Sequence, residues 1–232
     1  MKKLAIVGAQ ELTRGNAPWN DDEYEIWTIA HHAKADWCKR FDAVIEVHER
    51  SFYTSGYKDP EYFEWLKTIE QTVYMIDVHT EVKGAKKYPL AEVKEKLLPN
   101  IKLNGEPINN FCSTADYAIA LAVYLGYEEI DIYGIEMAHS SEYQNQQSSF
   151  TFWVGIAVAN GVQVNLNCTS GLFDKPLYGR EDITAVRVRD YIAGMNQQSA
   201  TLDEQQKLLK GALQFANQLL QDEILQRKNY DS

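Results

Sequence analysis

Short apolar runs recur along the first two thirds of the chain, each closed by a glycine or a polar turn. Lys3–Val7 is the first, stopped by Gly8. A run this short and apolar throughout reads as a parallel strand buried on both faces. Residues 25–30 and 43–47 repeat the pattern, and 72–76 form a fourth run. Between the first two lies a long turn from Gly8 to Glu23, holding Arg14, Gly15, Asn16, Pro18 and Trp19. A helix is predicted over 60–69, with Pro60 at the favoured first position. Residues 81–87 and 99–107 are polar and read as surface excursions.

Ser113-Thr114-Ala115-Asp116 opens an Ala-, Leu- and Tyr-rich stretch that runs to Leu125 before Gly126, a start signal and a stop signal for one helix. Glu129–Tyr133 alternates into a strand that stops at Gly134. A helix over 149–160 ends before Gly161, and 162–166 returns as a strand. Strand, helix and strand in this order need right-handed crossovers and a parallel sheet.

Beyond residue 180 the pattern changes. Residues 182–195 and 202–227 read as two helices parted by a polar link, Gln197-Gln198-Ser199, which predicts a helical hairpin. In the second helix Leu202, Leu209, Ala212, Leu213, Ala216, Leu219, Leu220 and Ile224 form one apolar stripe. A helix of this length is marginal alone in water, so the stripe predicts a homo-oligomer through the C-terminal helices. The fold class expected is α/β: a Rossmann-like, mostly parallel sheet with flanking helices over residues 1–178, and a C-terminal helical hairpin over 179–232.

Charge narrows the partners. The net charge is −10. Sequence-independent binding of DNA or RNA rests on neutralising phosphates with Lys and Arg, so bulk nucleic acid is not an expected partner. No apolar run approaches the roughly 20 residues of a membrane span, and the apolar stretch after Met1 is too short for a signal peptide. Cys38, Cys112 and Cys168 make an odd count without metal-type spacing, which points to a reducing compartment, the cytoplasm. The five histidines also lack the spacing of a zinc site, so no metal is predicted. No Gly-x-Gly-x-x-Gly, P-loop or nucleophile elbow is present, and no cofactor is predicted.

Residues 108–137, Ile-Asn-Asn-Phe-Cys-Ser-Thr-Ala-Asp-Tyr-Ala-Ile-Ala-Leu-Ala-Val-Tyr-Leu-Gly-Tyr-Glu-Glu-Ile-Asp-Ile-Tyr-Gly-Ile-Glu-Met, carry a resemblance. They are similar to a segment of bacterial sialyltransferase-like and pterin-pyrophosphokinase-like proteins that reads Thr-Ser-Gly, an Ala-rich helix, Leu-Gly, a strand and Gly-Ile-Asp. Bacteriophage-encoded Rossmann-like proteins of unassigned function look closer still. Their features match Arg14…Ala17-Pro18-Trp19, Ile26-Trp27, Gly134-Ile135-Glu136-Met137, Glu142-Tyr143 and Gln146 here. The resemblance spans residues 3–172 in order of elements and implies a nucleotide-type pocket, in a host cytoplasm if the chain is phage-encoded. The chain departs from the glycosyltransferases at Gly8-Ala9-Gln10-Glu11-Leu12, where they have Gly-Asn-Gly-Pro-Ser. It departs again at Ser113-Thr114, at Glu136, and around Ala30-His31-His32, where they have Ser-Gly, Asp and Asn.

Candidate site residues follow from position. Ser113 and Thr114 open a helix whose unpaired N–H groups can hold an anion, or they simply cap it. Glu136, just past a strand, can accept ribose or sugar hydroxyls. Arg14 offers a bidentate fork to a phosphate, and Trp19 could stack on a base or cover the core. His31 and His32 end the second strand, where adjacent side chains point to opposite sides, so one of them is expected in the pocket. His48 follows the third strand, and His139, Glu142 and Tyr143 lie on the loop after Gly134. His31, His48 and His139 are the candidate general acids or bases, since imidazole titrates near neutrality. Cys112 reads as a small buried thiol. Two readings stay open: a nucleotide-sugar-dependent, glycosyltransferase-like transferase, and a non-catalytic binder that sequesters a nucleotide signal.

Overall fold

The computed structural model describes residues 1–54, 59, 61–137, 141–168, 173, 177 and 183–230, with backbone alone at 53–54, 141–145, 183–186 and 221–230. The chain divides into two units, Met1–Asp174 and Lys175–Ser232.

The first unit is built on seven strands: β1 (Lys3–Val7), β2 (Tyr24–Ile29), β3 (Ala43–Glu46), β4 (Thr72–Met75), β5 (Ala85–Lys87), β8 (Glu129–Tyr133) and β9 (Gln163–Asn167). Their order is β5-β4-β3-β2-β1-β8-β9, and every pairing is parallel. The chain moves outward from β1 to β5, then returns to lay β8 and β9 on the other side of β1. The reversal leaves a crevice at the carboxyl ends of β1 and β8, where open α/β sheets take their ligands. Residues 81–87, read from polarity as an excursion, supply the edge strand β5. An edge strand needs little apolar sequence because one side faces water.

The helices between the strands are α1 (Glu11–Arg14), α2 (Arg50–Thr54), α3 (Tyr62–Thr68), α4 (Leu90–Leu97), α5 (Thr114–Tyr124) and α6 (Ser141–Ala159). Pro60, expected as the first residue of α3, lies outside the described residues. A small exposed hairpin, β6 (Lys102–Leu103) and β7 (Glu106–Pro107), occupies the second polar stretch. Alternation along the strands divides the core. Leu4 and Ile6 of β1 and Ile130 and Ile132 of β8 join α5 and α6 in one cluster, whereas Ala5 and Val7 join Trp19, Ile26 and Tyr133 in another.

α5 is apolar nearly all round, as a helix with core on several sides must be. Ala115, Ala118, Ala120 and Ala122 are all buried. Both long helices of this unit end the same way. Gly126 takes φ +77, its N–H donates to Val123, and that of Tyr127 donates to Ala122. Gly161 (φ +83), Val158, Val162 and Ala157 repeat the arrangement after α6. Each is a Schellman closure, which satisfies the last carbonyls and turns the chain into the next strand.

The second unit holds α7 (Ile183–Tyr230), one uninterrupted helix of 48 residues. This corrects the hairpin expected from the Gln197-Gln198-Ser199 link. Glutamine has high helix propensity and serine costs only a few tenths of a kcal/mol, so three such residues without proline do not stop a helix. Thr201 Oγ1 donates back to the Gln197 carbonyl at 3.0 Å across the supposed break. No helix among the described residues is long and apolar enough to cross a membrane.

Candidate functional site

The floor of the crevice is made by two glycines. A Cβ on Gly8 would sit 2.6 Å from the Gly134 carbonyl oxygen, and one on Gly134 would sit 2.5 Å from that of Gly8. Only glycine allows the ends of β1 and β8 to approach this closely, and Gly134 also takes φ +64. The approach is laced by backbone bonds from Gly8 N–H to Tyr133 (2.8 Å) and from Gln10 N–H to Gly134 (2.9 Å). Thr13 Oγ1 accepts the Gly134 N–H at 2.8 Å.

Above this floor opens a cleft of about 530 Å³. The turn after β1 contributes Gly8, Ala9 and Gln10, and the end of β2 with the turn that follows it contributes Ile29 to His32. His48 and Phe52 come from beyond β3, Cys112 to Ala115 from the start of α5, Gly134 to Met137 from beyond β8, and Gln146 from α6. Two non-glycine residues of this lining, Ala30 (φ +47) and Met137 (φ +51), are held in the left-handed region. Such strain persists only where the surroundings enforce it, and it concentrates at ligand sites. Gln147 Nε2 donates to the Met137 carbonyl at 2.5 Å and holds that turn.

His31 and His32 both line the cleft. Alternation along a strand would have sent them to opposite sides, but the strand ends at Ile29 and a 3-10 turn, Ala30–Lys34, follows the strained Ala30. Their rings lie 4.3 Å apart.

His48 is held by a residue that motif reading overlooked. Its Nδ1 lies 2.7 Å from Glu46 Oε1, and its backbone N–H donates to the same oxygen at 3.1 Å. The Glu46 side chain is 1% exposed, the His48 ring 32%. As a carboxylate, Glu46 can only accept, so Nδ1 carries the proton and Nε2 is left as the basic nitrogen. Phe52 stacks on the ring at 4.3 Å and 8°. Its one trace in the sequence is a carboxylate closing an otherwise apolar run, which does not say whether that carboxylate faces water or an imidazole.

At α5, Ser113 is a cap and a lining residue at once. Its Oγ accepts from Asp116 N–H (3.4 Å), while Asp116 Oδ2 accepts from the N–H groups of Ser113 and Cys112 at 2.8 Å each. Ser149 Oγ donates to the same carboxylate oxygen at 2.7 Å and ties in α6. Asp116 is fully buried, and its Oδ1 has no hydrogen-bond partner among the described residues. Burial pushes its carboxyl above the ordinary value, against the pull of these donors. The cap thus consumes the N–H groups of Cys112, Ser113 and Asp116. Those of Thr114 and Ala115, whose residues line the cleft, have no acceptor among the described residues. Cys112, expected as a buried thiol, is exposed at the rim.

Glu136 is nearly buried and lines the cleft. Arg14 does not. Its guanidinium donates to the Ala9 carbonyl and to Glu11 (3.0 Å) and lies over the Trp37 ring at 4.7 Å. Trp19 is buried behind β1 and β2, edge-on to Trp37 at 6.4 Å. His139 and the side chains of Glu142 and Tyr143 lie outside the described residues. No group of three His, Cys, Asp or Glu among the described residues is arranged to hold a metal.

No protein-family model matches this chain, and no curated protein matches it. Among solved structures it is similar to the sialyltransferase CstII from Campylobacter jejuni in complex with the substrate analogue CMP-3FNeuAc, at 15% identity and a TM-score of 0.44, over 79% of this chain and 89% of that one. It is also similar to the sialyltransferase CST-II in complex with a trisaccharide acceptor and CMP, at 17% identity and a TM-score of 0.45, over 75% and 84% of the two chains.

Proposed function

We propose that the cleft binds a nucleotide or nucleotide-derived small molecule, and that the chain is a glycosyltransferase-like transferase acting on a nucleotide-activated group. The observation that carries this reading is the meeting of a carboxylate-held imidazole with an open helix N-terminus in one cleft. A volume of about 530 Å³ suits a nucleotide-sized ligand. In this reading a phosphate takes the N–H groups of Thr114 and Ala115, and Glu136 accepts sugar hydroxyls. His48, oriented by Glu46, is the general base: Nε2 takes the proton of the acceptor hydroxyl as that oxygen bonds the transferred group. The bond to the leaving phosphate breaks, and its charge falls on the helix start. His31 and His32, which also line the cleft, serve as further donors. The setting is a reducing cytoplasm, in keeping with the free Cys38, Cys112 and Cys168. The chain is its own protein partner, through α7.

The test is a panel of nucleotides and nucleotide sugars, with the bound molecule recovered after denaturation. Conversion of the ligand supports transfer. Ser113→Trp, which fills the helix start, abolishes binding in calorimetry and leaves the circular dichroism spectrum unchanged. His48→Asn retains binding and lowers turnover by roughly 10²–10⁴-fold, the usual share of a general base. Turnover unchanged in His48→Asn would remove the imidazole from the mechanism.

A second reading has one observation in its favour. The turn after β1 carries Gln10 and Glu11 at the start of α1 instead of a glycine-rich Gly-Asn-Gly-Pro-Ser turn. A binder that sequesters a nucleotide signal needs the pocket but not the reaction motif. Recovery of every bound ligand intact favours it.

A further inference from the structure

Every described side chain from Arg187 to Leu220 on α7 is exposed. These residues are not uniformly polar. Val188, Ile192, Met195, Ser199 and Leu202 follow one another at alternating intervals of four and three, and Gln206, Leu209, Leu213, Ala216 and Leu220 continue the series without a slip. Leu202, Leu209, Leu213 and Leu220 are each at least 60% exposed. A seam with a strict 3.5-residue repeat is the mark of a helix that supercoils with another of its kind. Gly194 and Gly211 fall outside the seam, where a Cβ would meet nothing within 4 Å.

We infer that α7 pairs with α7 of a second copy as an antiparallel coiled coil, centred between Lys207 and Leu208. The inference rests on the self-association proposed above and adds its geometry. In this register Met195 meets Leu220 of the second copy, Ser199 meets Ala216, Leu202 meets Leu213, and Gln206 meets Leu209. A small residue faces a small one at Ser199 and Ala216, and the seam from Met195 to Leu220 closes on itself by a twofold axis, as an isologous dimer requires. Ile192 and Val188 fall at the level of Glu223 and Arg227, where the apolar pairing ends. The flanking charges select the orientation. Asp203 and Lys210 lie beside the seam on the same side, and antiparallel pairing sets each against the opposite charge, twice by symmetry. A parallel, in-register pair would instead place Asp203 beside Gln198 and Lys210 beside Gln205, leaving both charges without a counter-ion. Opposed macrodipoles favour the same choice. Leu208, Phe215 and Leu219, 74%, 67% and 54% exposed, form a second stripe beside the seam. Two such pairs stacked together would bury it.

The experiment uses the full chain with Cys38, Cys112 and Cys168 replaced by Ser. Light scattering at micromolar concentration is expected to give two or four times the 26.6 kDa of one chain. Leu202→Asp with Leu213→Asp lowers the mass to that of one chain. A monomer before substitution overturns the self-association and the geometry with it. Orientation is read separately by oxidative cross-linking. A mixture of Leu202→Cys and Leu213→Cys chains forms a mixed disulfide, because those positions face each other. Leu202→Cys alone forms none, because its own counterpart lies eleven residues away, about 16 Å along the axis and beyond the roughly 7 Å a disulfide spans. A Leu202→Cys homodisulfide together with an oligomeric mass overturns the antiparallel arrangement and leaves self-association standing.

Discussion

The two units of this chain spend their apolar residues in opposite ways. In the α/β unit Trp27, Trp153, Tyr88 and Phe150 are all fully buried against neighbours from distant parts of the chain. In α7 Leu202, Leu208, Leu209 and Leu213 are all exposed on a single long helix. The first unit carries its stabilising surface inside. The second has secondary structure without a core, and a helix in that condition draws most of its stability from whatever packs on its apolar face. The difference teaches where each kind of function sits. A preformed cleft needs rigid neighbours, as the Gly8–Gly134 approach and the Glu46–His48 pair show, whereas the self-association proposed for α7 would draw on apolar residues left over. All five tryptophans belong to the α/β unit, so tryptophan fluorescence follows that unit by itself.

The largest effect expected is Trp153→Ala. Its indole N–H donates to the Asn110 carbonyl at 2.6 Å, and its ring packs on Phe111 at 4.6 Å. The loss of volume and of that bond should cost about 3–5 kcal/mol in urea unfolding followed by fluorescence. A cost below about 1 kcal/mol would mean that α6 is not held where it is described.

Gly134→Ala comes next. It must force a Cβ against the Gly8 carbonyl and a left-handed φ on alanine, for roughly 2–3 kcal/mol. Ligand binding should fall with it, since the two glycines are the floor of the cleft.

Asp116 tests the cap. Asp116→Ala leaves the Ser113 N–H without its acceptor and the Cys112 N–H with only the longer bond to Ser149 Oγ (3.4 Å), while the Ser149 hydroxyl keeps the Asn110 carbonyl (2.8 Å), at about 1–3 kcal/mol. The pH dependence has a definite sign. Burial raises the folded carboxyl above 3.8, so the folded protein holds this proton to a higher pH than the unfolded chain. Between 3.8 and that higher value the folded state binds more protons, and stability from this group falls as pH rises. Asp116→Asn keeps an acceptor but has no charge to bury, so it should flatten that decline. Identical slopes for the two proteins across the acidic range would remove Asp116 as its source.

The smallest effect belongs to α7. Leu213→Ala should change the unfolding followed by tryptophan fluorescence by less than about 0.5 kcal/mol, as exposed substitutions usually do. A larger shift would mean that Leu213 contributes to stability beyond its own helix.

Much of the fold was legible from local chemistry. The apolar runs of β1, β3 and β8, the Ser113 cap and the Gly126 and Gly161 stops each express themselves within a few residues, and the parallel sheet follows from their alternation. The site was legible only in part. Ser113, Thr114, Glu136 and His48 line the cleft because each sits beyond the carboxyl end of a strand or at the start of a helix, a position that patterning reveals, whereas patterning allows only one of His31 and His32, and both line it. Glu46 went unread because a carboxylate ending a strand looks the same whether it faces water or an imidazole. Arg14 and Trp19 were drawn to the pocket by residue type and lie elsewhere because Ala9, Glu11 and Trp37 take up the one and the β1–β2 core takes up the other.

By itself the sequence determined the central strands, their parallel sense, the helix opened by Ser113 and the apolar stripe of α7, since these depend on periodicity and caps that act over one or two turns. The edge strand β5 and the continuity of α7 through Gln197-Gln198-Ser199 were not among them. Tertiary structure alone decided three things: the close approach of Gly8 to Gly134, the turn at Ala30 that brings both histidines to one wall, and the burial of Glu46 beneath His48. Each depends on backbone meeting backbone, or on solvent being excluded by residues far away in the chain. Local pattern carries no record of either.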